Sequence, residues 1–78
     1  MVKPTRVTNS IRALRASAGD LTQAELADRI GVTRQTIIAI EQGRYSPSLE
    51  VAFQIARELG VSLDTVFQYP NTDQSEAE

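Results

Sequence analysis

The chain is 78 residues long, 41% hydrophobic and 23% charged, enough for one hydrophobic core and too short for a second. It contains no Cys and no His, which excludes disulfide staples, Cys/His zinc sites, thiol nucleophiles and histidine acid–base chemistry. The net charge of −2 hides a split: through Tyr45 seven bases face four acids, a net of +3, and beyond it Arg57 faces six acids, a net of −5. Such a charge dipole can offer its positive end to phosphate while the acidic end favours solubility.

In chain order, residues 1–6 read as a flexible arm, residues 7–70 as one all-α domain of five helices, and residues 71–78 as an acidic, disordered tail. The first helix is predicted from about Thr8 to Ala18, with Ile11, Leu14 and Ala18 on one stripe. The second starts at Thr22, where Thr22-Gln23-Ala24-Glu25 reads as a capping box, and carries Ala24, Leu26, Ala27 and Ile30. The third follows Thr33 as N-cap and turns Ile37 and Ile40 inward. The fourth is predicted from Pro47 to Leu59, with Ser46 as N-cap and Leu49, Ala52, Phe53, Ala56 and Leu59 on one face. The fifth is capped by Ser62, shows Leu63, Val66 and Phe67, and stops at Pro70.

Gly19, Gly31, Gly43 and Gly60 each close a segment of helical periodicity, where a left-handed cap favours a residue without a Cβ. No segment alternates long enough to predict a strand. Apolar runs reach only four or five residues, against roughly 20 for a membrane span. The opening residues lack the apolar stretch of a signal peptide, so a cytoplasmic location is expected.

The informative stretch is Gln23 to Gln42. Two helices cross steeply over a short link only if the crossing point is small and the link turns left-handed, and Ala27 and Gly31 meet those demands. Leu26, Ile30, Val32, Ile37 and Ile40 supply an apolar underside, while Thr33, Arg34, Gln35, Thr36 and Gln42 supply a polar outer face. Each match is weak alone; together they specify a helix-turn-helix.

On these residues the chain resembles the lambda-repressor-like, Cro/C1 or XRE-type family of helix-turn-helix regulators, most closely its short single-domain members. The likeness runs from about Ile11 to Tyr69 and includes Ile11-Arg12-Ala13-Leu14-Arg15, Glu41-Gln42-Gly43-Arg44-Tyr45-Ser46-Pro47-Ser48-Leu49 and Leu59-Gly60-Val61-Ser62. It implies a five-helix domain that binds double-stranded operator DNA as a homodimer and regulates transcription, with repression as the expected direction. It also implies an ion pair between Arg15 and Glu41 beneath the recognition helix. Two departures stand out: the turn before Leu21 is one residue longer through Gly19-Asp20, and Ile38 stands where many members have a polar residue.

Gln35 can bond bidentately to adenine, and Arg34 to guanine or to a phosphate. Ile38 fits either a thymine methyl or the core, and Thr36 and Ala39 complete the expected base-contacting set. Thr22 and Gln23 open the second helix, whose unpaired N–H groups favour a phosphate, and Thr33, Gln42, Gly43, Arg44 and Tyr45 are expected to touch the backbone further along. Capping by Thr22 and Thr33 is compatible with those roles, and for Arg44 a solvated surface charge is the alternative. Arg12 and Arg29 read as solvent-facing charges.

One domain reads too few base pairs to single out a site, so a dimer is expected, joined through Val61, Leu63, Val66, Phe67 and Tyr69. An antitoxin or a protein-interaction module with the same fold are the competing readings; the near absence of apolar anchors in residues 71–78 counts against the first. No carboxylate pair, Ser-Lys spacing or glycine-rich phosphate loop supports an enzyme, and no cofactor, metal or small-molecule effector is expected.

Overall fold

A computed structural model of the chain describes residues 5–44 and 46–70. Among these residues five helices and one short strand pair appear: β1 (Thr8–Asn9), α1 (Ile11–Ser17), α2 (Gln23–Ile30), α3 (Arg34–Glu41), α4 (Leu49–Leu59), α5 (Leu63–Val66) and β2 (Phe67–Gln68). The expected arm lies partly, and the expected acidic tail wholly, outside the described residues.

Helix starts follow local chemistry. The Thr22 hydroxyl accepts the Glu25 N–H at 3.0 Å and the Glu25 carboxylate accepts the Thr22 N–H at 2.9 Å, which completes the capping box. Thr33 accepts the N–H of Thr36, and Ser48 accepts that of Val51. Gly31 ends α2 at φ 77°, and this turn brings the Val32 N–H back to the Ala27 carbonyl at 3.0 Å, so the chain enters α3 after two residues. The longer turn before Leu21 passes through Gly19 at φ 84° and Asp20 at φ 59°, two left-handed residues in succession, of which Asp is one of the few side chains that tolerate it. Leu21 is thereby delivered into the core.

Ile11, Leu26, Ile37, Ile40, Ile55 and Val66 are fully buried, and among the described residues every buried side chain is apolar. α2 packs against α3 and α4, and α5 closes the core over α4. β1 and β2 pair antiparallel, Thr8 opposite Gln68 and Asn9 opposite Phe67, and the Ser10 N–H extends the ladder to the Val66 carbonyl at 2.9 Å. Two residues per strand carry no readable alternation, which is why sequence periodicity missed the pair.

Several expectations are corrected. α1 begins at Ile11 rather than Thr8, because Thr8 and Asn9 are spent on the sheet, and Ala18 is exposed at its end. Ala24 is exposed on α2. α4 begins at Leu49 with Ser48 as N-cap, so Ser46 and Pro47 precede the helix. Its inward stripe is Ala52, Ile55, Ala56 and Leu59; Leu49 and Phe53 are 69% and 54% exposed. Phe53 lies about 100° around the helix from Ala52, and the stripe centres on the other side. Phe67 belongs to β2 rather than to α5.

Candidate nucleic-acid interface

α3 presents two faces of opposite character. Ile37 and Ile40 are buried, Arg34 and Gln35 project from the first turn into solvent, and Thr36, Ile38 and Ala39 are half-buried along its flank. Beside them lie the exposed Thr22 at the head of α2 and, past the end of α3, Gln42, Gly43 and Arg44. Tyr45 lies outside the described residues. The residues singled out for base and backbone contact among those described therefore belong to α3, its two flanks and the opening of α2.

An ion-pair network sets the position of α3 from below. The Arg15 guanidinium donates from Nε to Glu41 Oε2 at 2.7 Å and from Nη2 to Glu41 Oε1 at 3.2 Å, while Nη1 donates to the Leu21 carbonyl at 3.0 Å. One planar side chain on α1 thus holds both the last turn of α3 and the approach to α2. The pair keeps only 14% and 10% of its side-chain surface in water, so its two parallel hydrogen bonds fix an angle more than they add net stability. Gln23 Nε2 also donates to Glu41 Oε1, at 3.0 Å. An amide nitrogen carries two hydrogens, so this bond leaves Gln23 one donor for a further acceptor.

Two residues of this surface were not assigned a contact from sequence. Arg12, read as a solvent-facing charge, lines both of the open depressions that meet beside Ala16 and Gln23. One runs toward Thr22 and Arg34, with Asp20 on its wall; the other runs toward Ile38 and Gln42. The only signal in the sequence was the i, i+3 spacing of Arg12 and Arg15, which does not separate an exposed base from a paired one. Asn9 is the second: its Nδ2 donates to the carbonyls of Ile40 at 3.0 Å and Glu41 at 3.5 Å, and its Oδ1 accepts the Ile11 N–H at 3.1 Å. Arg29, by contrast, meets Glu58 on α4 at 3.6 Å.

The expected dimer residues divide. Tyr69 is exposed, with the Arg6 guanidinium 5.9 Å from its ring centroid, and Val61, Leu63 and Phe67 are half-buried. Val66 is completely buried in the core and offers nothing to a partner. Val7, Leu63, Phe67 and Tyr69 line one shallow apolar depression. No described helix is long and apolar enough to cross a membrane, and no described cluster of acids matches a metal site.

A helix-turn-helix family model matches residues 11–66. An uncharacterized HTH-type transcriptional regulator of Methanothermobacter thermautotrophicus is 68% identical over 50 residues, 64% of this chain and 71% of that protein. The cryptic phage CTXphi transcriptional repressor of Vibrio cholerae is 41% identical over 56 residues, 72% of this chain and 50% of that protein. Among solved structures, the restriction-modification controller protein C.AhdI from Aeromonas hydrophila superposes with a TM-score of 0.64 at 29% identity, over 70% of this chain and 78% of that one. The family works by binding DNA rather than by catalysis. With α2 and α3 set across a left-handed glycine turn and most of the chain matched, the protein belongs to the Cro/C1-type, lambda-repressor-like family of helix-turn-helix transcriptional regulators.

Proposed function

We propose that the protein is a repressor that reads a palindromic operator through the major groove as a homodimer. The observation that carries this reading is the outward projection of Arg34 and Gln35 from the first turn of a helix whose opposite face, Ile37 and Ile40, is locked in the core. In the proposed complex Gln35 pairs with adenine and Arg34 with guanine or a flanking phosphate. Thr36, Ile38 and Ala39 line the same groove, with Ile38 against a thymine methyl. Thr22 and the second amide hydrogen of Gln23 take a phosphate at the head of α2; Thr33, Gln42, Gly43, Arg44 and Tyr45 take the backbone beyond α3. Arg12 adds a further phosphate contact from α1.

Two copies joined through Val61, Leu63, Phe67 and Tyr69 would place their α3 helices about 34 Å apart, one turn of DNA. Repression by occupancy is supported by the likeness to a phage repressor.

Selection of bound duplexes from a random pool tests the reading. The expected product is an inverted repeat with half-sites about 10 base pairs apart, and binding that weakens steeply with salt. Gln35→Ala is expected to lower affinity for the selected duplex about 10- to 100-fold and to leave affinity for random duplex unchanged. Recovery of no enriched sequence overturns the operator reading, and a monomer on sedimentation at micromolar concentration, with and without DNA, overturns the dimer.

A further inference from the structure

We propose that Asn9 is a positioning residue for DNA reading: its side-chain amide, from outside the helix-turn-helix, fixes the tilt of α3 against the terminal sheet. The inference rests on α3 being the reading helix. Asn9 sits 31 residues from Ile40 in sequence, yet its Nδ2 reaches the last carbonyls of α3 at 3.0 and 3.5 Å. Those carbonyls form the negative end of a helix that has no basic residue in its last turn; the Gly43 N–H reaches the Ile40 carbonyl at 3.0 Å from the following turn, and Asn9 adds a side-chain donor from another element. The Oδ1 of the same side chain accepts the Ile11 N–H at 3.1 Å and starts α1, a task the nominal cap Ser10 leaves undone. The Asn9 backbone, meanwhile, lies opposite Phe67 in β2. One short side chain therefore joins the end of α3, the start of α1 and the sheet.

The grip is complementary to that of Arg15. Arg15 holds the Glu41 side chain, and Asn9 holds the backbone at Ile40 and Glu41, so the C-terminal end of α3 is fixed on two counts while its N-terminal end faces outward. α3 has eight residues, a length of about 12 Å. A pivot of about 10° at its held end displaces Arg34 and Gln35 by about 2 Å, more than the whole 2.7–3.2 Å window of an N–H···O bond spans. Loss of the Asn9 donors thus acts on base reading, while phosphate attraction, which tolerates such displacement, persists.

Asn9→Asp separates the two tasks of the side chain. Its carboxylate still accepts the Ile11 N–H, but it has no hydrogen to give Ile40 and Glu41 and brings a negative charge to a negative helix end. Asn9→Ala removes donor and acceptor without adding charge. Affinity is measured for the selected operator and for a random duplex across a salt series, with helical circular dichroism as the check on folding. Both variants are expected to keep the parental spectrum and salt slope for random duplex, and to lose about tenfold or more in the operator-to-random ratio. Any general repulsion from the added Asp charge lowers both affinities and cancels in that ratio.

Parental ratios in both variants overturn the proposal, and so does loss of the helical spectrum in both, which would make Asn9 a folding residue only. If the parent protein itself prefers no operator, the operator reading fails first and the role of Asn9 falls with it; an operator-selective parent with operator-selective variants isolates the failure to Asn9.

Discussion

The segment from Thr22 to Arg44 and the segment from Ser48 to Gln68 each give five residues to the buried core and differ in the polar bonds added to it. In the first, charged and amide side chains form a connected set, Arg15 and Gln23 on the Glu41 side chain and Asn9 on the Ile40 and Glu41 carbonyls, which specifies where α3 points. In the second, cohesion comes from Ala52, Ile55, Ala56, Leu59 and Val66 in the core, while Leu49 and Phe53 are left in solvent. A protein that reads DNA needs angular precision on one side, and directional bonds supply it. On the other side it needs cohesion, and apolar packing supplies it without fixing an angle.

The sharpest way to break this comparison is to truncate two apolar residues that occupy different faces of α4. Ile55→Ala empties a fully buried position and is expected to cost about 2–5 kcal/mol, a fall in Tm of about 8 °C or more. Phe53→Ser removes a larger side chain and is expected to change stability by no more than about 0.5 kcal/mol. Thermal unfolding of the two variants checks this. Sedimentation of Phe53→Ser beside Phe67→Ser then sharpens the second half of the comparison, because dissociation by the former alone would move the proposed dimer face from α5 and β2 to α4.

Breaking the polar network is the next largest effect. Arg15→Ala strands the Glu41 carboxylate with Gln23 as its remaining side-chain partner and is expected to cost up to about 3 kcal/mol, together with a loss of operator affinity through tilting of α3. A folded Arg15→Ala variant that binds operator as tightly as the parent would remove the orienting role. Arg12→Ala should be milder still: stability unchanged, and a log–log salt dependence of the proposed dimer less steep by about two, as one phosphate contact per protomer is lost on all sequences alike. An unchanged slope would return Arg12 to the status of a solvated charge.

The sequence made α2 and α3 legible because their limits are written in local chemistry: Thr22 with Glu25, Gly31, and Thr33 act within a few residues of themselves. The Arg15–Glu41 pair came from family resemblance and stands in the structure with the expected partners. α4 was misread at its start because Ser46-Pro47 and Ser48-Leu49 are both acceptable helix openings, and only packing chooses between them. Phe53 was misplaced for a related reason: an apolar residue adjacent to a stripe looks like part of it until a neighbour fails to cover it. The bonds of Asn9 and Gln23 to the end of α3 are illegible in a stronger sense, since each depends on a partner 18 to 32 residues away and on no local pattern.

The smallest predicted effect concerns the capping box itself. Hydrogen bonds from the backbone and side chain of Thr22 hold the Glu25 carboxyl below its ordinary pKa, with a lesser contribution from Arg29. A carboxylate with a lowered folded-state pKa binds fewer protons folded than unfolded, so its stabilising effect is complete above the unfolded value, about 4.3, and is lost as pH falls through the folded one. The parent should therefore lose a small increment of stability on acidification in the range where Glu25→Gln, which keeps an acceptor but cannot titrate, does not. Because Glu25 is solvent-exposed, water screens the charge and the increment stays small, close to the limit of comparing two unfolding curves at matched pH. Parallel acid titrations of the two proteins would end this assignment.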